Sequence, residues 1–332
     1  MRKCLGMMIA LLVVVTMLTG CHEIQPNGHT PGDGVLPDLP PSGPHSTDLE
    51  VLVGEYQLHG KLTRPRWGIQ SLPIVVVLIA GSGPNNMDAE AQQCPLFRDL
   101  ADGLAAEGIT SIRVDKRYLE HPELAVQGPT IQDEQLDDTD AAITLIQADP
   151  SLAGYHLYVI GHSQGAFVLP NVLQHNPAIS GGVFLAGTPR SMWDVELDEE
   201  SNDIQARTDL PREQQASRIA DLAIVTAEMK LLDDPTGPAL RGYQASYIVS
   251  FNNLHYDQAA KDETRPILIL QGDQDGLVFP NIDYSAYQRL LRDKPNVTFG
   301  LIGGLGHFFD TAGHMDPDTI RTISNWLISE SS

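Results

Sequence analysis

Cysteine is scarce in this chain: Cys4, Cys21 and Cys94 are the only three in 332 residues. That is too few for a disulfide scaffold or a cysteine-rich zinc site. Positive charge is scarce as well. Lys and Arg total 21 against 43 Asp and Glu, a formal net charge of -22. Phosphate backbones are repelled by such a chain, which argues against nucleic-acid binding. A polybasic grip on anionic lipid is excluded on the same ground. No repeat with a period of 20–50 residues is present, so the chain is not a solenoid. What it does have is enough apolar material for a sizeable core: 42% hydrophobic against 19% charged residues. Wholesale disorder is therefore excluded.

The N-terminus has the layout of an export signal. Arg2 and Lys3 precede an apolar run from Leu5 to Leu18, short for a membrane span. Leu18-Thr19-Gly20-Cys21 follows. Small residues ahead of a cysteine at this place resemble the lipobox of bacterial lipoproteins. The resemblance implies cleavage before Cys21 and a diacylglyceryl group on its sulfur, hence a protein exported and held at a bacterial membrane. His22 in the next position favours the outer membrane where a cell has two. The plainer reading is an ordinary cleaved signal with an incidental cysteine. Residues 21–47 are rich in Pro, Gly, Asp, His and Ser, a composition that cannot bury enough apolar surface to order itself. They read as a tether; metal binding by His22, His29 and His45 is disfavoured by their irregular spacing.

From residue 48 to 332 strand and helix patterns alternate. Residues 48–63 read as antiparallel strands around Gly54 and Gly60. Continuous apolar runs at 74–80 and 109–114, with 156–160, 183–186, 267–271 and 297–302, read as strands buried on both faces of a sheet. Helical spacing occurs at 97–107, 133–147, 164–174, 285–292 and 319–329. Asp133 and Glu134 sit in a first helical turn, where the dipole favours acids. The expected fold class is α/β: a mostly parallel central sheet flanked by helices. Residues 188–262 break the alternation and predict an inserted helical cap. Six acids and no base between Asp194 and Asp203 read there as a solvated surface, since no Gly-centred calcium loop is present.

Four separated pieces carry chemistry. Gly161-His162-Ser163-Gln164-Gly165 lies between a strand and a helix, as a G-x-S-x-G nucleophile elbow requires. A side chain at either glycine would collide with neighbouring backbone, and His162 is expected to point away from the site. A serine hydroxyl needs a base to act at neutral pH. His307, in a Gly-rich loop after the last strand, is the candidate. A buried carboxylate must orient that imidazole, and Asp273 and Asp275 compete for the role. Ala80-Gly81-Ser82-Gly83-Pro84 follows another strand and suits backbone donors to an oxyanion. The Gln164 N–H is one expected donor and the Ser82 N–H the other, with Gly83 the alternative to Ser82. A phosphate cradle is disfavoured, because no Gly-Lys-Ser/Thr follows.

With these motifs in order, the chain from residue 48 onward resembles the α/β-hydrolase superfamily, specifically bacterial carboxylesterase-like enzymes near acyl-peptidase and dienelactone-hydrolase relatives. Arg113-Val114-Asp115-Lys116-Arg117 and residues 267–278 add to the likeness. The resemblance selects Asp275 through Gly-x-x-Asp-x-x-Val and leaves Asp273 a turn residue. It implies an α/β-hydrolase fold and a Ser163–His307–Asp275 triad hydrolysing a small-molecule carboxylic ester through an acyl-enzyme, with no cofactor and no metal. Peptidase, thioesterase and acyltransferase chemistry use the same triad; a non-catalytic binding lipoprotein is the remaining alternative. Departures are Asn85-Asn86-Met87-Asp88, where relatives often carry an Arg beside the Asp, and Ala166, where a Gly is common. Arg113, Asp115, Lys116 and Arg117 are expected to brace loops through ion pairs. Trp193 and Tyr247 are the cap aromatics expected to line an acyl pocket. Cys94 is expected to be inert.

Overall fold

Alternation within single strands builds two cores. The computed structural model describes residues 43–91 and 94–332. The signal segment, Cys21 and most of the tether lie outside the described residues. The main sheet has eight strands: β1 (His45–Val53), β2 (Tyr56–Arg64), β3 (Ile74–Ile79), β4 (Thr110–Val114), β5 (His156–His162), β6 (Ile179–Leu185), β7 (Ile267–Gly272) and β8 (Val297–Ile302). Their spatial order is β1-β2-β4-β3-β5-β6-β7-β8, with β1 and β2 antiparallel to their neighbours and the others parallel. All six residues of β3 are buried. Val75, Val77 and Ile79 enter one hydrophobic cluster, and Ile74, Val76 and Leu78 the other. Successive side chains of a strand point to opposite faces, so a run of β-branched and leucine residues serves both cores. Residues 157–160 of β5 and 267–270 of β7 divide the same way.

Helices cover both faces. On one, α1 (Leu96–Ala106) and α9 (Pro317–Glu330) join the cluster of Ile74; on the other, α2 (Asp137–Ala148), α3 (Gln164–His175) and α8 (Ser285–Leu291) join that of Val75. Between β6 and β7 the chain forms α4 (Met192–Ala206), α5 (Arg212–Leu231), α6 (Ala245–Asn252) and α7 (Tyr256–Asp262). This is the segment expected to be helical.

Three expectations need correction. Residues 45–47, read as the end of the tether, belong to β1 and pair with residues 62–64 of β2; hydrogen bonding to an ordered neighbour outweighs their polar composition. The helix expected at 133–147 opens as a π-helical turn, Gln132–Leu136, before α2. Wide turns of this kind concentrate at functional sites, and here the turn buries Glu134 and Gln135. The acids of α4 are not simply solvated either. Asp194 pairs with Lys230, Asp198 with Arg190, and Glu200 with Arg241, while Glu196 accepts a hydrogen bond from the Tyr243 hydroxyl at 2.5 Å.

Candidate active site

The end of β5 runs directly into α3 through Ser163, whose backbone has φ 55° and ψ -123°. A non-glycine residue rarely adopts such a conformation, which stores strain held in place by its surroundings. Those surroundings are backbone. A Cβ at Gly165 would lie 2.3 Å from the Ile79 carbonyl oxygen, and one at Gly161 2.4 Å from that of Gly165. Glycine at both positions lets β3, β5 and α3 close to the separation the turn needs. Ser163 therefore stands at the N-terminus of α3, where free N–H groups and the helix dipole favour negative charge.

His307 and Asp275 arrive from loops after β8 and β7. His307 Nδ1 is 2.8 Å from Asp275 Oδ2. Burial acts to raise the Asp275 pKa, but the His307 hydrogen bond and charge, with the N–H groups of Leu277 and Val278, hold it below the ordinary carboxylate value. Gln271 Nε2 donates a further bond to Asp275 Oδ2 at 2.6 Å. Asp273 is turned elsewhere and accepts the Gly304 N–H at 2.7 Å, tying the two loops together. At Gly272 a Cβ would meet the Leu305 carbonyl oxygen at 2.3 Å, so the loops approach through glycine. Ser163 and His307 line one cavity of about 230 Å³, together with Ser82, Gln164 and Phe308.

His162, expected from sequence to point away from the site, instead borders it. It is buried, its Nε2 lies 2.9 Å from the His307 carbonyl oxygen, and its ring centroid is 4.8 Å from that of His307. Burial, aided by the neighbouring His307, pushes its pKa down to about 3. A neutral ring can donate Nε2–H to that carbonyl, which pins the His307 backbone.

The Gly81–Gly83 loop is held by a buried polar network in which Lys116 braces a loop through an ion pair, as expected, with Glu134 the partner that the sequence did not reveal. Lys116 Nζ donates to Glu134 Oε1 at 2.6 Å and to the Gly81 carbonyl at 2.8 Å. The Gly83 N–H donates to the same Glu134 oxygen at 3.0 Å. That donor is thereby spent, which separates Gly83 from Ser82. Tyr247 donates its hydroxyl to Glu134 Oε2 at 2.5 Å and accepts from Gln164 Nε2 at 2.7 Å. Gln135 Nε2 donates to the Ala80 carbonyl and to Gln164 Oε1. Burial lowers the Lys116 pKa against the opposing pull of Glu134, and burial beside Glu134 raises that of Tyr247 well above its usual value. One network thus joins the loop after β3, the residue after Ser163, and α6.

The two cap aromatics separate. Tyr247 borders a neighbouring cavity of about 570 Å³ that shares Ser82, Gln164 and Met192 with the first. Trp193 is not on the Ser163 cavity. It borders a different one with Lys230 and His255, and its Nε1–H donates to Asn252 at 2.7 Å. Its indole is a packing element between α4 and α6, T-shaped against Tyr243 and Phe251.

Other candidates fall into place around the site. Arg113 bonds Asp88 at 2.8 Å and Arg117 bonds Asp138 at 2.7 Å, while Asp115 accepts the Met87 N–H at 2.5 Å. Cys94 is free and buried, its thiol pushed up to about 11 by that burial and by Asp310. Among the described residues, His59, Asp115 and Glu120 bring ligand-type atoms within 4.8 Å of one another. His59 Nδ1 and Glu120 Oε1 already satisfy each other at 2.6 Å, and none of the three borders the Ser163 cavity.

Comparison with known proteins gives a consistent result. Residues 74–321 match the model of the alpha/beta hydrolase family. Esterase EstD of Thermotoga maritima is 26% identical over 284 residues, covering 82% of this chain. The chain spans 65% of the length of that curated relative. Est1E from Butyrivibrio proteoclasticus superposes with a TM-score of 0.56 at 15% identity, covering 87% of this chain and 99% of its own. The Pyrococcus furiosus esterase Pf2001 gives 0.55 at 16%, covering 87% and 92%. A dienelactone hydrolase from Anabaena variabilis gives 0.53 at 15%, covering 86% and 98%. At such identities the structures speak to the fold alone.

Proposed function

The chain belongs to the alpha/beta hydrolase family, and from that premise we propose that it is a serine hydrolase cleaving carboxylic esters of small molecules. The observation that carries the reading is the His307–Asp275 hydrogen bond at a cavity shared with a serine on a strained strand-to-helix turn. Ser163 Oγ attacks the acyl carbonyl while His307 Nε2 takes its proton. Asp275 accepts Nδ1–H, selecting the tautomer with a free Nε2 and stabilising the imidazolium that forms. The backbone N–H groups of Ser82 and Gln164 receive the oxyanion, assisted by the N-terminal dipole of α3. The tetrahedral intermediate collapses as His307 returns the proton to the departing alcohol. Water, deprotonated by His307, then releases the acid and restores Ser163.

The names of EstD, Est1E and Pf2001 agree with an ester substrate. Ser163→Ala is expected to lower kcat on a short p-nitrophenyl ester by roughly 10⁴-fold or more and to abolish labelling by a fluorophosphonate. Full turnover in a folded Ser163→Ala protein refutes the reading. Faster cleavage of matched thioesters or peptides than of the ester would keep the triad and change the substrate class.

The proposal extends to location. Residues 1–21 support export, with lipidation at Cys21 and retention at a bacterial membrane, the outer one where there are two. Cys21→Ser is expected to abolish incorporation of labelled palmitate and to move the protein out of the membrane fraction. Unchanged labelling refutes the anchor.

A further inference from the structure

The cavity of Ser163 has an acid that no hydrogen bond or ion pair engages among the described residues. Glu196 and Glu199 both reach it from α4, but their circumstances differ. Glu196 is engaged by the Tyr243 hydroxyl at 2.5 Å and by Arg241 at 3.5 Å. Glu199 is half-buried and has neither a hydrogen bond nor an ion pair among the described residues. Among the described residues no Lys or Arg borders this cavity, and His307 is the lining group that gains positive charge during turnover. Its acids are backed by Glu200 and Asp203 on the same helix, which add negative potential at Glu199. Burial, with those neighbours, raises the Glu199 pKa, while the nearby His307 opposes the rise.

A half-buried carboxylate without a hydrogen-bond or ion-pair partner is left with part of its desolvation cost unrepaid, and a cation carried by a ligand in the cavity would offset it. We infer that Glu199 is a specificity-determining residue that receives a positively charged group, an ammonium or quaternary ammonium, carried by the ester substrate. The inference rests on the ester-hydrolase reading and deepens it. Three features agree with a cationic ligand. Among the described residues the lining holds no fixed cation to repel it. Phe308, whose ring stands 5.2 Å from that of His307, supplies an aromatic ring at the same cavity, a group type that favours quaternary ammonium ions. The chain's net charge of -22 draws cations toward any acid-lined cleft. An anionic acyl group would meet the opposite situation and be rejected.

The test uses two matched pairs of esters, because the charge can sit on either side of the scissile bond. One pair is acetylcholine and 3,3-dimethylbutyl acetate. The other is the p-nitrophenyl esters of 4-(trimethylammonio)butyrate and of 5,5-dimethylhexanoate. Each pair differs by a quaternary nitrogen in place of a quaternary carbon. In at least one pair the cation is expected to be favoured in kcat/KM by roughly tenfold at low salt, about 1.4 kcal/mol, mainly through KM. The preference shrinks as salt rises. Glu199→Gln is expected to bring the ratio close to one. Because the ratio is taken within one preparation, a partly misfolded variant does not disturb it. Brisk turnover of the esters with no preference for the cation in either pair overturns this inference and leaves the hydrolase reading standing. So does a preference that survives in Glu199→Gln. Absence of turnover on all four esters overturns both.

Discussion

The carboxyl end of the sheet and the helical segment 188–262 meet at one cavity, but they shape it by different physical means. At the sheet, positions follow from backbone sterics. Gly161 and Gly165 admit a turn that no side chain would allow, and Gly272 lets the loops of Asp275 and His307 touch. In the helical segment the positions follow from side chains meeting over long sequence separations. Tyr247 reaches Glu134 across 113 positions, and Trp193 reaches Asn252 across 59. The first kind of constraint writes short motifs; the second leaves none. It follows that the sheet end is the region where single changes should abolish chemistry, and the helical segment the region where they should tune it.

The sharpest way to break that contrast is at the two aspartates after β7. Asp275→Asn removes the acceptor that sets the His307 tautomer, and a loss of about 10⁴-fold in kcat is expected while the fold persists. Asp273→Asn touches the Gly304 N–H and the Gln274 amide, both of which an amide oxygen can still accept. Its loss should stay below about tenfold, the scale of one neutral hydrogen bond. Steady-state rates on a p-nitrophenyl ester, normalised by active-site titration, measure both. An equal loss in the two variants would remove the special role of Asp275.

A smaller effect is expected where the two regions join, at Glu134. Its carboxylate links Lys116, the Gly83 N–H and the Tyr247 hydroxyl. Glu134→Gln leaves Lys116 buried without its counter-charge and frees the Gly81–Gly83 loop. A ten- to hundredfold fall in kcat is expected, of the order of 1.4–2.7 kcal/mol, with little change in KM. If the network merely supports the fold, thermal stability will fall while kcat per titrated site stays constant. If it positions the loop, kcat will fall in proportion to the affinity for a boronic-acid transition-state analogue. Tyr247→Phe, which keeps the ring and removes the hydroxyl, should show the same pattern at a fraction of the size.

Glu134 also marks where sequence reasoning ran out. The alternating strands and helices were legible because parallel strands buried on both faces are continuous apolar runs, as at residues 74–79. The elbow was legible because its sterics are local. Asp275 and Asp273 were equivalent by composition, and only the family spacing separated them. Glu134 reads in sequence only as an acid that the dipole favours in a first helical turn. Its partners, Lys116 and Tyr247, come from elsewhere in the fold. His162 was misread for a similar reason: its role depends on a carbonyl 145 positions away. In α4 an acidic run looked uniform, yet burial and pairing divide it into Glu196, which is engaged, and Glu199, which is open to the cavity.

Trp193 offers the finest test of the contrast, since sequence pointed to a substrate contact and the structure points to packing. Its indole is buried, donates to Asn252 at 2.7 Å and stands against Tyr243 and Phe251. Trp193→Phe retains an aromatic body but loses the donor and some volume, leaving the Asn252 oxygen without it. A loss of about 1–2 kcal/mol in unfolding free energy is expected, the sum of a lost buried hydrogen bond and modest underpacking. KM for short and long acyl esters should move together and by less than about twofold, because the cavity of Ser163 lies elsewhere. Denaturant unfolding and an acyl-chain series read the two quantities separately. A selective rise in KM for long chains, with stability intact, would return Trp193 to the acyl pocket and show that side-chain packing alone had been mistaken for its purpose.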